Sequence, residues 1–151
     1  DNMDFLRSLS TTKKVRGDAT LAHGSPRDTL WEYVLNTLTA RLNFDHFDTP
    51  WCFIGHSHIQ SFFVMEEGSE RVNLGAPNLE QPTNLRPRMI LNPGSVGQPR
   101  DRNSRAAYAI YDTVARTWQA HRVEYNVAEV QERIREAGLP ERHAIRLAEG
   151  W

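Results

Sequence analysis

The stretch Trp51-Cys52-Phe53-Ile54-Gly55-His56-Ser57-His58 decides how this chain is read. Four consecutive apolar residues ahead of a glycine describe a short strand buried on both faces, because a half-exposed strand would alternate apolar with polar. Glycine turns the chain at the strand's end, and two imidazoles two residues apart follow. In extended backbone such residues share a face, whereas in a loop they splay onto neighbouring positions. Both arrangements suit ligation of one or two metal ions.

The same layout occurs twice more. Leu21-Ala22 precedes His23-Gly24, and Met89 to Asn92 forms a short strand running into Asn92-Pro93-Gly94-Ser95-Val96-Gly97. Gly94 and Gly97 open backbone conformations closed to other residues, and successive amides in such a turn form an anion-binding nest. Arg100, just beyond, offers a forked guanidinium to phosphate oxygens. The candidate metal ligands are therefore His23, His56 and His58. The candidate substrate-binding residues are Asn92, Gly94, Ser95, Gly97 and Arg100. Asp45-His46-Phe47-Asp48 reads as a solvated turn, since no strand aims it, and His121 and His143 as structural or surface residues. Cys52 lies inside the apolar strand and behaves as a core residue, and neither Ser25 nor Ser95 has a base beside it.

Around these loops the chain reads as mixed α and β. Gly17-Asp18 turns a hairpin between Lys14–Arg16 and Ala19–Ala22. Leu30, Trp31, Val34, Leu35, Leu38 and Leu42 recur at helical spacing, which predicts a helix from Asp28, as N-cap, to about Leu42. A second hairpin spans 59–66 and 71–74, an irregular excursion runs from Gly75 to Pro87, and strands cover 106–111 and 117–125. Helices follow over 127–137 and from Pro140 to about Glu149. The first nine residues read as the last turns of a helix, with Met3 and Leu6 facing inward.

At 151 residues, with 39% hydrophobic and 25% charged residues, the chain fits one domain, residues 1–151, with a real core. A net charge of −1 argues against a broad nucleic-acid surface and leaves a small phosphorylated substrate open. No apolar run is long enough to span a bilayer, and no membrane partner is expected. A single cysteine fits a reducing, cytoplasmic setting.

The three segments, in this order, resemble the C-terminal half of the calcineurin-like metallophosphoesterases, closest to the bacterial phosphodiesterase and diadenosine-tetraphosphatase-like branch. The resemblance extends to the Ala137-Gly138-Leu139-Pro140 break and covers almost the whole chain. It implies an α+β class, as part of a four-layer α/β/β/α sandwich, and a cofactor of two divalent metal ions (Mn, Fe, Ni, Co or Zn). His23 and His56 would bind one ion and His58 the other. It further implies hydrolysis of a phosphoester by a water activated between the metals. The family's Asp-x-His, Gly-Asp-x-x-Asp and Gly-Asn-His-Asp/Glu motifs do not occur here; Gly17-Asp18 continues as Ala-Thr-Leu. The expectation is thus a C-terminal portion, inactive alone, whose leading strands, helices and proton donor lie elsewhere. The missing segment or another chain would cover the open sheet edge. A non-catalytic protein-binding scaffold of the same fold is the alternative, and an unrelated small metal-binding domain the third reading.

Overall fold

The structure is a computed structural model that describes residues 2–9, 12–15 and 17–151. A helix, α1 (Asn2–Ser8), precedes a hairpin of β1 (Thr12–Val15) and β2 (Ala19–Ala22). Next come α2 (Thr37–Asn43), a 3₁₀ turn at Phe44–His46, β3 (Trp51–Phe53), β4 (Gln60–Met65) and β5 (Val72–Gly75). The remaining elements are β6 (Thr83–Asn84), β7 (Met89–Pro93), β8 (Ala106–Asp112), β9 (Thr117–Val123), α3 (Val127–Glu136) and α4 (Glu141–Glu149).

Two sheets result, one ordered β1-β2-β3-β7-β4-β5 and a smaller one ordered β6-β9-β8. Strands β2, β3 and β7 are mutually parallel neighbours, with Thr20 beside Cys52 and Cys52 beside Ile90. Their carboxyl ends therefore lie side by side, where ligands bind in parallel sheets. Alternation along these strands loads both faces. Cys52, Ile54, Phe63 and Ile90 pack with Phe44 and Ala40 beneath α2. Trp51, Val64, Met89 and Leu91 meet Trp118 and Ala120 of the smaller sheet. This two-sided burial is why β3 and β7 carry unbroken apolar runs.

The helix expected from Asp28 to Leu42 is shorter, beginning at Thr37. Asp28 Oδ1 accepts the amides of Leu30 and Trp31, closing a turn instead of capping a helix. Glu32 is drawn inward by Arg27, by Ser25 Oγ at 2.6 Å and by Asn43 Nδ2 at 2.7 Å. Burial alone would raise its pKa, but the bonds from Arg27, Ser25 and Asn43 prevail and hold it at about 2. Asn36 then caps α2 by accepting the Thr39 amide. The apolar repeat from Leu30 to Leu42 thus signalled a loop fixed by polar anchors, followed by two turns of helix. In α1 no residue is buried, contrary to the inward placement of Met3 and Leu6.

Candidate active site

Each parallel strand delivers its loop to one end of the large sheet. The Gly55 amide donates to the His23 carbonyl at 2.9 Å, and the Ile54 amide to Leu91 O at 2.9 Å, stitching the three loops together. Asn92 is the buried hub: its Nδ2 donates to Gly55 O at 2.7 Å and to Ser57 Oγ at 2.9 Å, and its Oδ1 accepts the Gly94 amide at 2.9 Å. The turn so gripped holds His56 and His58 at φ of 59° and 60°. Left-handed backbone is uncommon for residues other than glycine, though histidine is among those enriched there, and it tends to occur where function demands it.

Within this frame two of the imidazoles meet. His23 Nε2 lies 3.0 Å from His56 Nδ1. His58 Nδ1 lies 2.7 Å from Gln98 O. A carbonyl only accepts, so this nitrogen carries the proton and Nε2 keeps its lone pair. The pKa of His56 is lowered by burial first, then by the charges of His23, His58 and Arg100; that of His58 is lowered by burial first, with Arg100 and His23 adding. Both rings are thereby biased toward the neutral form at pH 7.

The third loop lies against the same cluster. The Arg100 amide donates to His58 O at 3.1 Å and its Nη2 to Gln98 Oε1 at 3.1 Å. Gly94, at φ 83°, could not carry a Cβ, which would come within 2.7 Å of the Ala107 Cβ. Ser95 Oγ accepts the Gln98 amide at 3.0 Å, and the Ala107 amide donates to Ser95 O at 2.9 Å. Gly97 is in the open, with nothing within 4 Å of the position a Cβ would take. Behind the loop, Arg122 of β9 pairs with Asp101 and donates to Gln60 Oε1 at 2.8 Å, tying the segment to both sheets.

Residues outside the cluster behave as spacing suggested. His121 stacks on Tyr108 with ring centroids 4.9 Å apart. Asp45 pairs with Arg41 at 2.9 Å. Cys52 is fully buried, and burial pushes its thiol up to about 12, so it is no nucleophile. Sequence reasoning missed Tyr33, whose ring tilts over His56 with centroids 4.1 Å apart. It also missed Gln98, whose carbonyl sets the His58 tautomer. Tyr33 sat inside a segment read as helix, and a backbone carbonyl leaves no mark in a sequence.

The expected cofactor is corrected by this geometry. Among the described residues no group of three or more His, Cys, Asp or Glu is arranged to hold a metal ion. The three side chains are imidazoles, two of them facing each other and the third bound to a carbonyl. No carboxylate stands among them to screen two divalent charges. The donor set of this chain does not fit a dinuclear centre.

No family model matches the chain. The uncharacterized protein MJ0912 of Methanocaldococcus jannaschii is 33% identical over 145 residues, covering 93% of this chain and 56% of its own length. The crystal structure of a metallophosphoesterase from Sphaerobacter thermophilus superposes with a TM-score of 0.91 at 45% identity, over 99% of this chain and 61% of that one. The hypothetical protein PH1004 from Pyrococcus horikoshii OT3 shares the fold, with a TM-score of 0.74 at 18% identity over 98% of this chain and 54% of its own. The chain has the metallophosphoesterase fold, as its motifs implied. It spans between half and two thirds of the length of these proteins. Among the described residues no helix is long and apolar enough to cross a membrane.

Proposed function

We propose that this chain is the larger, C-terminal part of a phosphoester hydrolase and supplies the imidazole and guanidinium side of its active site. The reading is carried by the His23–His56 pair and by Arg100, whose charge acts on His56 and His58, at the carboxyl ends of three parallel strands. Arg100 would counter charge on a phosphoryl group, and the neutral His58 would turn the lone pair of Nε2 toward the reacting groups. Asn92 and Gly94 hold the two loops in register, while Ser95 and Gly97 border the approach.

The leading strands and helices of a four-layer sandwich would complete the site. A groove of about 970 Å³ supports this, running beside His23 between Leu6, Leu9, Leu21, Phe53 and Pro93. Such an apolar groove is a surface that a soluble chain ordinarily covers. The proposed substrate is a phosphodiester of small size, in keeping with the near-neutral net charge.

Hydrolysis of a chromogenic phosphodiester tests the reading. The 151-residue chain should be at background, and the full reading frame that encodes it should turn over. His58→Ala and Arg100→Ala in that longer protein should each lose at least about a hundredfold, the scale of a removed charge-stabilising group, while His121→Ala should not. Undiminished turnover in His58→Ala would overturn the assignment.

A further inference from the structure

Beside the imidazoles lies a second recess, of about 280 Å³, lined by Tyr33, Leu35, Ser57, Ile59, Arg100, Arg146 and Trp151. We infer that it is a subsite for a planar aromatic group joined to the phosphate, so that the ligand is a nucleoside monophosphate or its ester. The inference rests on the phosphoester reading above and names the part of the substrate that reading leaves open.

Five observations carry it. Tyr33 and Trp151 are 44% and 61% exposed, and although Tyr33 lies over His56, part of each ring remains open to a ligand at one recess. Leu35 and Ile59 give it an apolar floor, and Arg100 and Arg146 give it two guanidinium groups. No carboxylate is among the lining residues; Glu149, at the rim, accepts the Trp151 indole N–H at 2.6 Å and holds that ring in place. Arg100 Nε is buried without a hydrogen-bond partner among the described residues, and a buried guanidinium N–H left in that state calls for an acceptor. Arg100 also acts on both His56 and His58, so an anion on it would lie between the recess and the imidazoles.

The dimensions set the orientation. About 280 Å³ is at the small end of ligand sites, sufficient for a base and too small for a whole nucleotide. The base would enter against Tyr33 and Trp151, with the phosphate left outside on Arg100. Stacking of a base on an aromatic side chain is worth about 5- to 150-fold in affinity. Arginine beside the ring adds a cation–π component.

Calorimetric titration of the 151-residue chain with adenosine 5′-monophosphate, ribose 5-phosphate and adenosine tests the inference. Adenosine monophosphate should bind at least about tenfold more tightly than ribose 5-phosphate, the equivalent of one modest stacking contact. Trp151→Leu should remove most of that advantage without changing the affinity for ribose 5-phosphate, Tyr33→Leu should weaken adenosine monophosphate more than ribose 5-phosphate, and Tyr33→Phe should keep the advantage. Arg146→Ala should weaken both phosphates. Both aromatic side chains are exposed, so these variants should fold, and urea midpoints equal to the parent's would verify it. Equal affinity for the two phosphates, no measurable binding of adenosine monophosphate, or an advantage that survives the double Tyr33→Leu/Trp151→Leu variant would each overturn the subsite. Failure here with intact His58 dependence of hydrolysis would refute the base subsite alone. Loss of that dependence would refute the phosphoester reading.

Discussion

Replacing Asn92 tests the device that holds the histidine turn. Its amide makes three hydrogen bonds, to Gly55 O, Ser57 Oγ and the Gly94 N–H, from a side chain that is 1% exposed. In Asn92→Ala the Ser57 hydroxyl can rotate to another partner, but the Gly55 carbonyl and the Gly94 amide lose theirs. Each of the two uncompensated, half-buried groups costs about 1–3 kcal/mol, so the expected loss is about 2–6 kcal/mol. With a urea slope of about 2 kcal/mol per molar, the midpoint should fall by about 1–3 M. Asn92→Asp keeps an acceptor for Gly94 but turns a carboxylate oxygen toward the Gly55 carbonyl. It should lose at least as much at pH 7 and recover part of it when acid protonates the group. Asn73→Ala, which removes an exposed contact to Glu66, should stay within about 0.5 kcal/mol of the parent. An Asn92→Ala midpoint indistinguishable from the parent's, or an Asn92→Asp variant no more stable in acid, would refute the clamp.

Two further outcomes follow from the charges around the site. His56 and His58 have folded pKa values below their unfolded ones, so on acidification the unfolded chain takes up protons first. Their stabilising effect is complete above the ordinary imidazole value and is lost as pH falls through the folded pKa values. Urea midpoints should therefore drop from pH 7 toward pH 5, less steeply in His56→Gln/His58→Gln; an equal slope in that variant would exclude these rings as the cause. Arg122, whose side chain is 5% exposed, pairs with Asp101 at 16%. Arg122→Met should cost about 3–5 kcal/mol by stranding the carboxylate. Arg122→Met/Asp101→Asn should recover part of it, and a single variant as stable as the parent would show the pair to be dispensable.

Most of the sheet was legible because its residues obey local rules. The unbroken run at Trp51–Ile54 announced a buried strand, and the segments 89–92 and 117–125 read as strands, as the structure has them at Met89–Pro93 and Thr117–Val123. The histidine loops were legible for the same reason, since glycine after a buried strand marks the strand's end. The segment from Leu30 to Leu42 was not, because its helical spacing was overridden by tertiary anchors, above all the inward turn of Glu32 to Arg27, Ser25 and Asn43. The metal centre was expected from the strand-end histidines and, as a pair of ions, from the family resemblance, and the donor set of the described residues does not support it. Tyr33 and Trp151 escaped notice because they are 118 positions apart and nothing in either neighbourhood marks them as partners.

The central claim is that the strand-end cluster meets a phosphoryl group. Proton–nitrogen spectra of the histidine and arginine side chains, recorded while inorganic phosphate is added to the 151-residue chain, test it most directly. The account expects saturable shifts at Arg100 Nε–H and at the rings of His56 and His58, with His121 and His143 unmoved. Shifts spread evenly over all six histidines, or none at Arg100, would contradict it.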